Sequence, residues 1–194
     1  MRIGILGTTA DPPHRMHVTI IHAAKRQLKL DRILFVPIGT PPHKAHTVAS
    51  RPMRLAMVRI VAKKYGWRIF NSEIKRRGKS STRDTIKALQ KKYPRDKLFW
   101  IIGSDTLASL PTWQWKGGED ILDLCTFVVA PRAGYPIHRI PEKLLKKVII
   151  LRGIRPSRIS SKFIRDYLRN GKKTPSVLDP EIVQFIKKKH LYTV

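Results

Sequence analysis

Apolar positions along this chain alternate between the two periods of regular structure. Arg2 to Gly7 reads as a first strand, apolar and ended by glycine. Val18, Ile21, Ala24 and Leu28 then form a helical stripe. Arg32 to Val36 is a second strand, closed by Pro37. Met53, Ala56, Met57, Ile60 and Val61 follow the i, i+3, i+4, i+7, i+8 spacing of an amphipathic helix. Trp67 to Phe70 is a third, short strand. Ser81 with Asp84 three residues on resembles a capping box, opening a helix through Lys92 with Ile86 and Leu89 inward. Lys97 to Ile102, Leu124 to Ala130 and Val148 to Leu151 complete the strands. One closing helix runs from near Ser160 to Gly171, a good C′ residue. The other has Asp179 as N-cap, Pro180 at N1, and Ile182, Phe185 and Ile186 on one face.

Strands alternating with helices predict an α/β fold, a mostly parallel sheet with helices on both faces and a small C-terminal helical part. The 194 residues suit one domain, with the helical part taking roughly 156–194. In such sheets ligands sit beyond the carboxyl ends of the strands. Three segments fall there: Gly7 to His17, Pro37 to His46, and Gly103-Ser104-Asp105.

Composition narrows the setting. Hydrophobic residues make up 42%, enough for a core. The longest apolar runs, such as Leu98 to Ile102, are too short to cross a bilayer. Asp11-Pro12-Pro13 interrupts any signal-peptide h-region. Cys125 is alone, so no internal disulfide forms and a reducing compartment fits. The expectation is a soluble cytoplasmic protein. Against 13 Asp+Glu stand 40 Lys+Arg, a formal charge of +27. Such a field attracts nucleotides, pyrophosphate, nucleic acids or anionic lipids, and a solvated lysine-rich surface accounts for it equally well. The basic residues are densest from Arg139 to Lys173.

His14 and His17 are three apart, after a glycine-ended strand and a proline-locked turn. With a helix starting around them they share a face above the first strand. Helix starts collect phosphates, and imidazoles there donate hydrogen bonds to the oxygens of a phosphorus centre under attack. Gly7 permits close approach of backbone, and the hydroxyls of Thr8 and Thr9 are further donors. A zinc site using His14, His17, His43 and His46 is the alternative, but Cys125, the only cysteine, lies far along the chain. Arg158-Ile159-Ser160-Ser161-Lys162-Phe163-Ile164-Arg165 reads as a second loop feeding a helix.

Gly7-Thr8-Thr9-Ala10-Asp11-Pro12-Pro13-His14-Arg15-Met16-His17 resembles the GG[ST]FDPPHxGH segment of bacterial nicotinate mononucleotide adenylyltransferases, in the HIGH-type nucleotidyltransferase superfamily. The likeness continues in order along the chain. Pro41-Pro42-His43-Lys44 resembles the PPHK loop. Glu73, Arg76, Gly78, Ser80, Thr82, Asp84 and Thr85 resemble ExxRxGxSYTxDT. Ile102-Gly103-Ser104-Asp105 with Trp113 resembles IGxD…W, Pro131 to Tyr135 the RPGY turn, and Ile159-Ser160-Ser161 with Ile164-Arg165 the ISSxxIR segment. Val177 to Tyr192 resembles the closing helix and its LY. Departures are Thr8 for a second glycine, Ala10 for phenylalanine, Met16 for the glycine between the histidines, and Ser81 for tyrosine.

The resemblance implies a Rossmann-like nucleotidyltransferase fold and adenylyl transfer from ATP to nicotinate mononucleotide. It implies catalytic roles for His14, His17 and Arg165. It puts Gly7, Thr8, Thr9, Gly103, Asp105, Ile159, Ser160 and Ser161 with them at ATP, and Lys44, Thr82, Trp113 and Arg132 at the mononucleotide. Mg²⁺ is expected through the phosphates, with no protein ligands of its own. Partners are then ATP and nicotinate mononucleotide, with no membrane, nucleic acid bound only non-specifically, and homo-oligomerisation left open. The competing readings are a sister enzyme using nicotinamide mononucleotide, pantetheine phosphate or a CTP-dependent substrate, a degenerate non-catalytic homologue, and a basic nucleic-acid-binding protein.

Overall fold

The computed structural model describes residues 1–40, 48–76, 78, 81–110, 118–170 and 176–192. In chain order the elements are β1 (Arg2–Thr8), α1 (Arg15–Leu28), β2 (Arg32–Pro37), α2 (Arg51–Tyr65), β3 (Arg68–Ile69), α3 (Ser72–Lys75) and α4 (Thr82–Lys92). There follow β4 (Lys97–Gly103), α5 (Ser104–Ser109), β5 (Thr126–Ala130), α6 (Glu142–Leu145), β6 (Val148–Ile150), α7 (Ser161–Arg169) and α8 (Pro180–Lys188). Short 3-10 turns occupy Gly118–Asp123 and Ile137–Arg139.

The strands form a six-stranded sheet in the order β3-β2-β1-β4-β5-β6. β1 with β4, β4 with β5, and β5 with β6 pair in parallel. Parallel strands covered on both faces read as continuous apolar runs. Ile3, Ile5, Ile101, Phe127, Val128 and Val129 are accordingly fully buried. The strand order reverses between β1 and β4, the place where sheets of this order bind ligands.

By contacts the chain divides into two compact units. One comprises Met1–Gly7, Ile20–Leu34 and Ser81–Arg158; the other comprises Thr8–Thr19, Phe35–Ser80 and Ile159–Val194. In the first unit, the Gln27 side-chain amide donates to the Arg152 carbonyl at 2.7 Å and accepts from its N–H at 2.9 Å. Gly7 lies against Trp100, whose ring would stand 2.8 Å from a Cβ there. In the second unit, α2 ends at Gly66 (φ 66°), whose N–H caps the carbonyls of Ala62 and Lys63. Trp67 then stacks on Tyr65 at 5.0 Å and meets Phe35 edge-on at 6.0 Å. α2 and α8 pack together.

Several details depart from the sequence reading. The buried face of α2 is Arg54, Met57, Val58, Val61 and Ala62, so the stripe sits one position round from the expected Met53, Ala56 and Ile60. A buried cation holds that face in place, as shown below. β5 begins at Thr126, not Leu124, and β3 keeps only Arg68–Ile69. α3, α5 and α6 were not anticipated: helices of one or two turns are too short to display a period. The caps of α4 and α8 are as expected, with Ser81 and Asp179 accepting from the Asp84 and Glu181 N–H groups; α7, expected to start near Ser160, is capped by that residue, which accepts from the Phe163 N–H. Gly171 lies outside the described residues. Among those described, no helix is long and apolar enough to cross a membrane.

Candidate active site

The loop after β1 belongs to the second unit, and its geometry starts from the histidines. α1 begins at Arg15, so His17 lies in the first turn and His14 just before it. Their rings stack with centroids 3.9 Å apart. The His14 backbone N–H donates to His17 Nδ1 at 3.1 Å. Nδ1 therefore accepts, and the neutral ring carries its proton on Nε2. Nε2 lies 3.2 Å from Thr8 Oγ1, which makes that hydroxyl its acceptor. The loop is sequestered: Thr9, Asp11 and His14 are all buried. His17 thus presents a defined N–H donor from an ordered site.

The C-terminal segment reaches the same loop. Ser161 Oγ donates to the Pro12 carbonyl at 2.9 Å, across 149 positions of sequence. Arg165 Nη1 donates to the Asp11 carbonyl at 2.6 Å, across 154 positions, and stands 3.8 Å from Asp11 Oδ2. Ser160 caps α7 by accepting the Phe163 N–H at 3.1 Å. The amides of the first turn of α7 and the Arg165 guanidinium therefore stand beside the histidine loop. Free amides at a helix start and a guanidinium are the donors a phosphate chain needs.

Three residues that sequence reasoning missed hold this arrangement. Asp11, expected only to stiffen the turn, is 2% exposed. Its carboxylate accepts from Val48 N–H at 2.9 Å, Ala49 N–H at 3.1 Å and the Tyr192 hydroxyl at 2.7 Å. Arg54, 0% exposed, donates to the carbonyls of Thr9 at 2.9 Å and Gly39 at 2.6 Å, and to that of Ile38. Burial lowers the Arg54 pKa from its ordinary value, and attraction to Asp11 opposes that shift. Burial, then the nearby Asp11, pushes the Tyr192 phenol well above its usual range, so it stays a donor. One signal for Arg54 was present: positions 54, 57, 58 and 61 form a helical stripe with a cation among apolar residues.

The first unit carries its own polar cluster. Asp105 is the second residue of α5, whose N-cap is Gly103. Its carboxylate pairs with Arg132 at 3.2 Å, joining two residues expected at different substrates. Ser104 Oγ, another missed residue, accepts the Arg132 N–H at 2.9 Å and donates to the Tyr135 carbonyl at 2.8 Å. A Cβ on Gly103 would lie 2.2 Å from Asp105 Oδ1, so glycine is what admits this carboxylate position. Among the described residues Oδ1 is buried with no hydrogen-bond partner. Thr82 opens α4. Ile159 is half-buried just ahead of Ser160. Lys44 and Trp113 lie outside the described residues, as do His43 and His46.

The Cytidylyltransferase-like family matches residues 5–167. A protein of Halalkalibacterium halodurans named "Probable nicotinate-nucleotide adenylyltransferase" is 37% identical over 194 residues, covering 98% of this chain and 91% of its own. One of the same name from Shewanella woodyi is 35% identical over 210 residues, covering 99% of each. This chain belongs to the nicotinate-nucleotide adenylyltransferase family. Plasmodium falciparum nicotinic acid mononucleotide adenylyltransferase complexed with NaAD superposes with a TM-score of 0.79 at 21% identity, over 98% of this chain and 97% of that one. The same protein complexed with APC gives 0.77 at 20%, over 98% and 96%. These neighbours establish the fold as α/β and Rossmann-like.

The departures of this nicotinate-nucleotide adenylyltransferase family member acquire physical meaning. The Thr8 hydroxyl partners His17 Nε2, a contact glycine could not make. Ser81 caps α4 through its hydroxyl, at 3.3 Å from the Asp84 N–H. Ala10 is fully buried at φ 53°. Met16 sits half-buried in the first turn of α1; nothing in the structure explains a methionine there.

Proposed function

We propose that this chain joins the 5′-phosphate of nicotinate mononucleotide to the α-phosphorus of ATP, releasing pyrophosphate and forming nicotinate adenine dinucleotide. The observation that carries the residue roles is the bonding of Ser161 and Arg165 to the carbonyls of Pro12 and Asp11. It joins the two phosphate-type segments within one compact unit.

The attacking phosphate is already an anion, so no protein nucleophile is needed. Rate comes from holding two anions in line and from donors aimed at developing charge. His17 donates through Nε2, exchanging Thr8 for a phosphate oxygen, with His14 stacked beside it. The first-turn amides of α7, with Ser160 and Ser161, receive the outer phosphates. Arg165 neutralises the leaving pyrophosphate. Thr9, Gly7 and Ile159 shape the loops around them. Asp105 accepts from a ribose hydroxyl, admitted by Gly103. Thr82, Arg132, Lys44 and Trp113 serve the mononucleotide.

ATP is taken as its Mg²⁺ complex. The groups around the loop are hydroxyls, imidazoles, a guanidinium and one carboxylate, Asp11, whose oxygens already accept three hydrogen bonds; no group of three His, Cys, Asp or Glu suited to a metal occurs among the described residues. Phosphate oxygens and water would hold the cation, which would supply charge neutralisation on the phosphates. A cytoplasmic location fits a lone half-buried cysteine, and nucleic acid binds only through the general positive field.

Steady-state kinetics on His17→Ala, with pyrophosphate release followed and the fold checked by circular dichroism, tests the assignment. Turnover should fall by about 10²–10³-fold. Near-normal turnover in a folded variant refutes it.

A further inference from the structure

Arg165 has two competing anions within reach. One is the phosphate it serves under the function proposed above, on which this inference rests. The other is Asp11, whose Oδ2 stands 3.8 Å away while its backbone carbonyl takes the Nη1 hydrogen at 2.6 Å. A buried carboxylate at that distance draws a guanidinium strongly unless its oxygens are otherwise satisfied. In this protein they are. Oδ2 accepts from Val48 N–H; Oδ1 accepts from Ala49 N–H and from the Tyr192 hydroxyl, the shortest of the three at 2.7 Å. Two of these donors are backbone N–H groups, which no substitution short of proline removes. The third comes from the last turn of the chain described here, 181 positions away. Tyr192 is 3% exposed, so no water replaces its hydroxyl readily.

We infer that Tyr192 is a positioning residue: by donating to Asp11 it keeps Arg165 on the backbone carbonyl and available to the leaving pyrophosphate. Without the hydroxyl, Asp11 loses its side-chain donor. The guanidinium then moves from the carbonyl to the carboxylate and withdraws from the phosphate side. The mononucleotide, which Arg165 does not touch in this scheme, is unaffected.

The test is Tyr192→Phe, Arg165→Ala and the double variant, with each substrate varied in turn and rates normalised to the folded fraction. Losing one hydrogen bond to a charged group predicts about a tenfold rise in KM for ATP in Tyr192→Phe. Inhibition by inorganic pyrophosphate should weaken by a similar factor, with KM for nicotinate mononucleotide within about twofold. In the Arg165→Ala background the same change should do almost nothing, because the residue it positions is gone. Additive losses in the double variant, or equal losses for both substrates, overturn the positioning role while leaving the proposed function intact. So does a lower melting temperature with unchanged kinetics per folded molecule. Normal ATP use and normal pyrophosphate inhibition in Arg165→Ala overturn both the role of Arg165 and the inference built on it.

Discussion

Arg54 offers the sharpest check on how this loop is held. Its guanidinium spans the carbonyls of Thr9, Ile38 and Gly39 from a fully buried position. Replacing it with methionine keeps the bulk of the stem and removes every donor. Each hydrogen bond from a charged group contributes about 1.5–3 kcal/mol, but the cation's own desolvation offsets part of the sum. What remains is three carbonyls that have lost the guanidinium and a buried Asp11 with one less counter-charge. Breaking a buried charged network by removing one partner costs about 3–5 kcal/mol. For a chain of this size, roughly 2–4 °C of melting temperature is lost per kcal/mol, so Arg54→Met should melt about 6–20 °C lower. Scanning calorimetry with circular dichroism reads the shift. Arg54→Lys should recover only part of it, since a single ammonium cannot fork across three carbonyls. Turnover should fall as well, because the Thr9 carbonyl anchors the segment carrying the histidines. A variant melting within about 2 °C of the parent would refute the reasoning.

Two other outcomes follow from local geometry. Gly103→Ala should cost under about 1 kcal/mol of stability, because the displaced atom is the free end of the Asp105 side chain; yet it should turn the carboxylate away from Arg132 and raise the KM for ATP severalfold, and unchanged kinetics would remove Asp105 from substrate binding. Burial pushes the Cys125 thiol up to about 12, so above pH ~9 the unfolded chain loses a proton that the native chain keeps, and stability falls as pH rises from there towards 12. Denaturant melts of the parent and Cys125→Ala should therefore diverge between about pH 9 and 10, the parent falling faster; parallel slopes would contradict the burial.

The strands were legible because each is an apolar run between turn signals, and their ends moved only by a residue or two. Two helix caps were legible for a similar reason: Ser81 and Asp179 act on backbone three residues away or nearer. The α2 stripe was misplaced by one position because its apolar periodicity does not count Arg54, which is fully buried. Its burial depends on carbonyls at Thr9, Ile38 and Gly39, contributed by segments far from α2 in sequence. Within the site, His14, His17, Ser161 and Arg165 announced themselves as side chains suited to phosphate. Their support did not: Asp11 and Tyr192 stand in segments that match the family, but the match assigned Asp11 only a stiff turn and Tyr192 no role. What a motif cannot display is the partner its polar atoms find at a separation of 181 positions.

Asp11 also bears on the charge of the whole chain. A site for a polyphosphate must keep cations and helix-start amides close together while no anion is bound, and these repel one another. Here Arg54 and Arg165 both act electrostatically on Tyr192 beside Asp11, and Arg51 acts on Arg54. A chain with +27 formal charge supplies little relief from outside, because its field has the same sign. The buried carboxylate supplies it locally, and it accepts three hydrogen bonds of its own. On the role proposed for it above, an Arg165 neutralised completely would have nothing left for the pyrophosphate, and one left bare would cost the loop its order. Holding the cation on a backbone carbonyl, 3.8 Å from the acid, satisfies both demands at once.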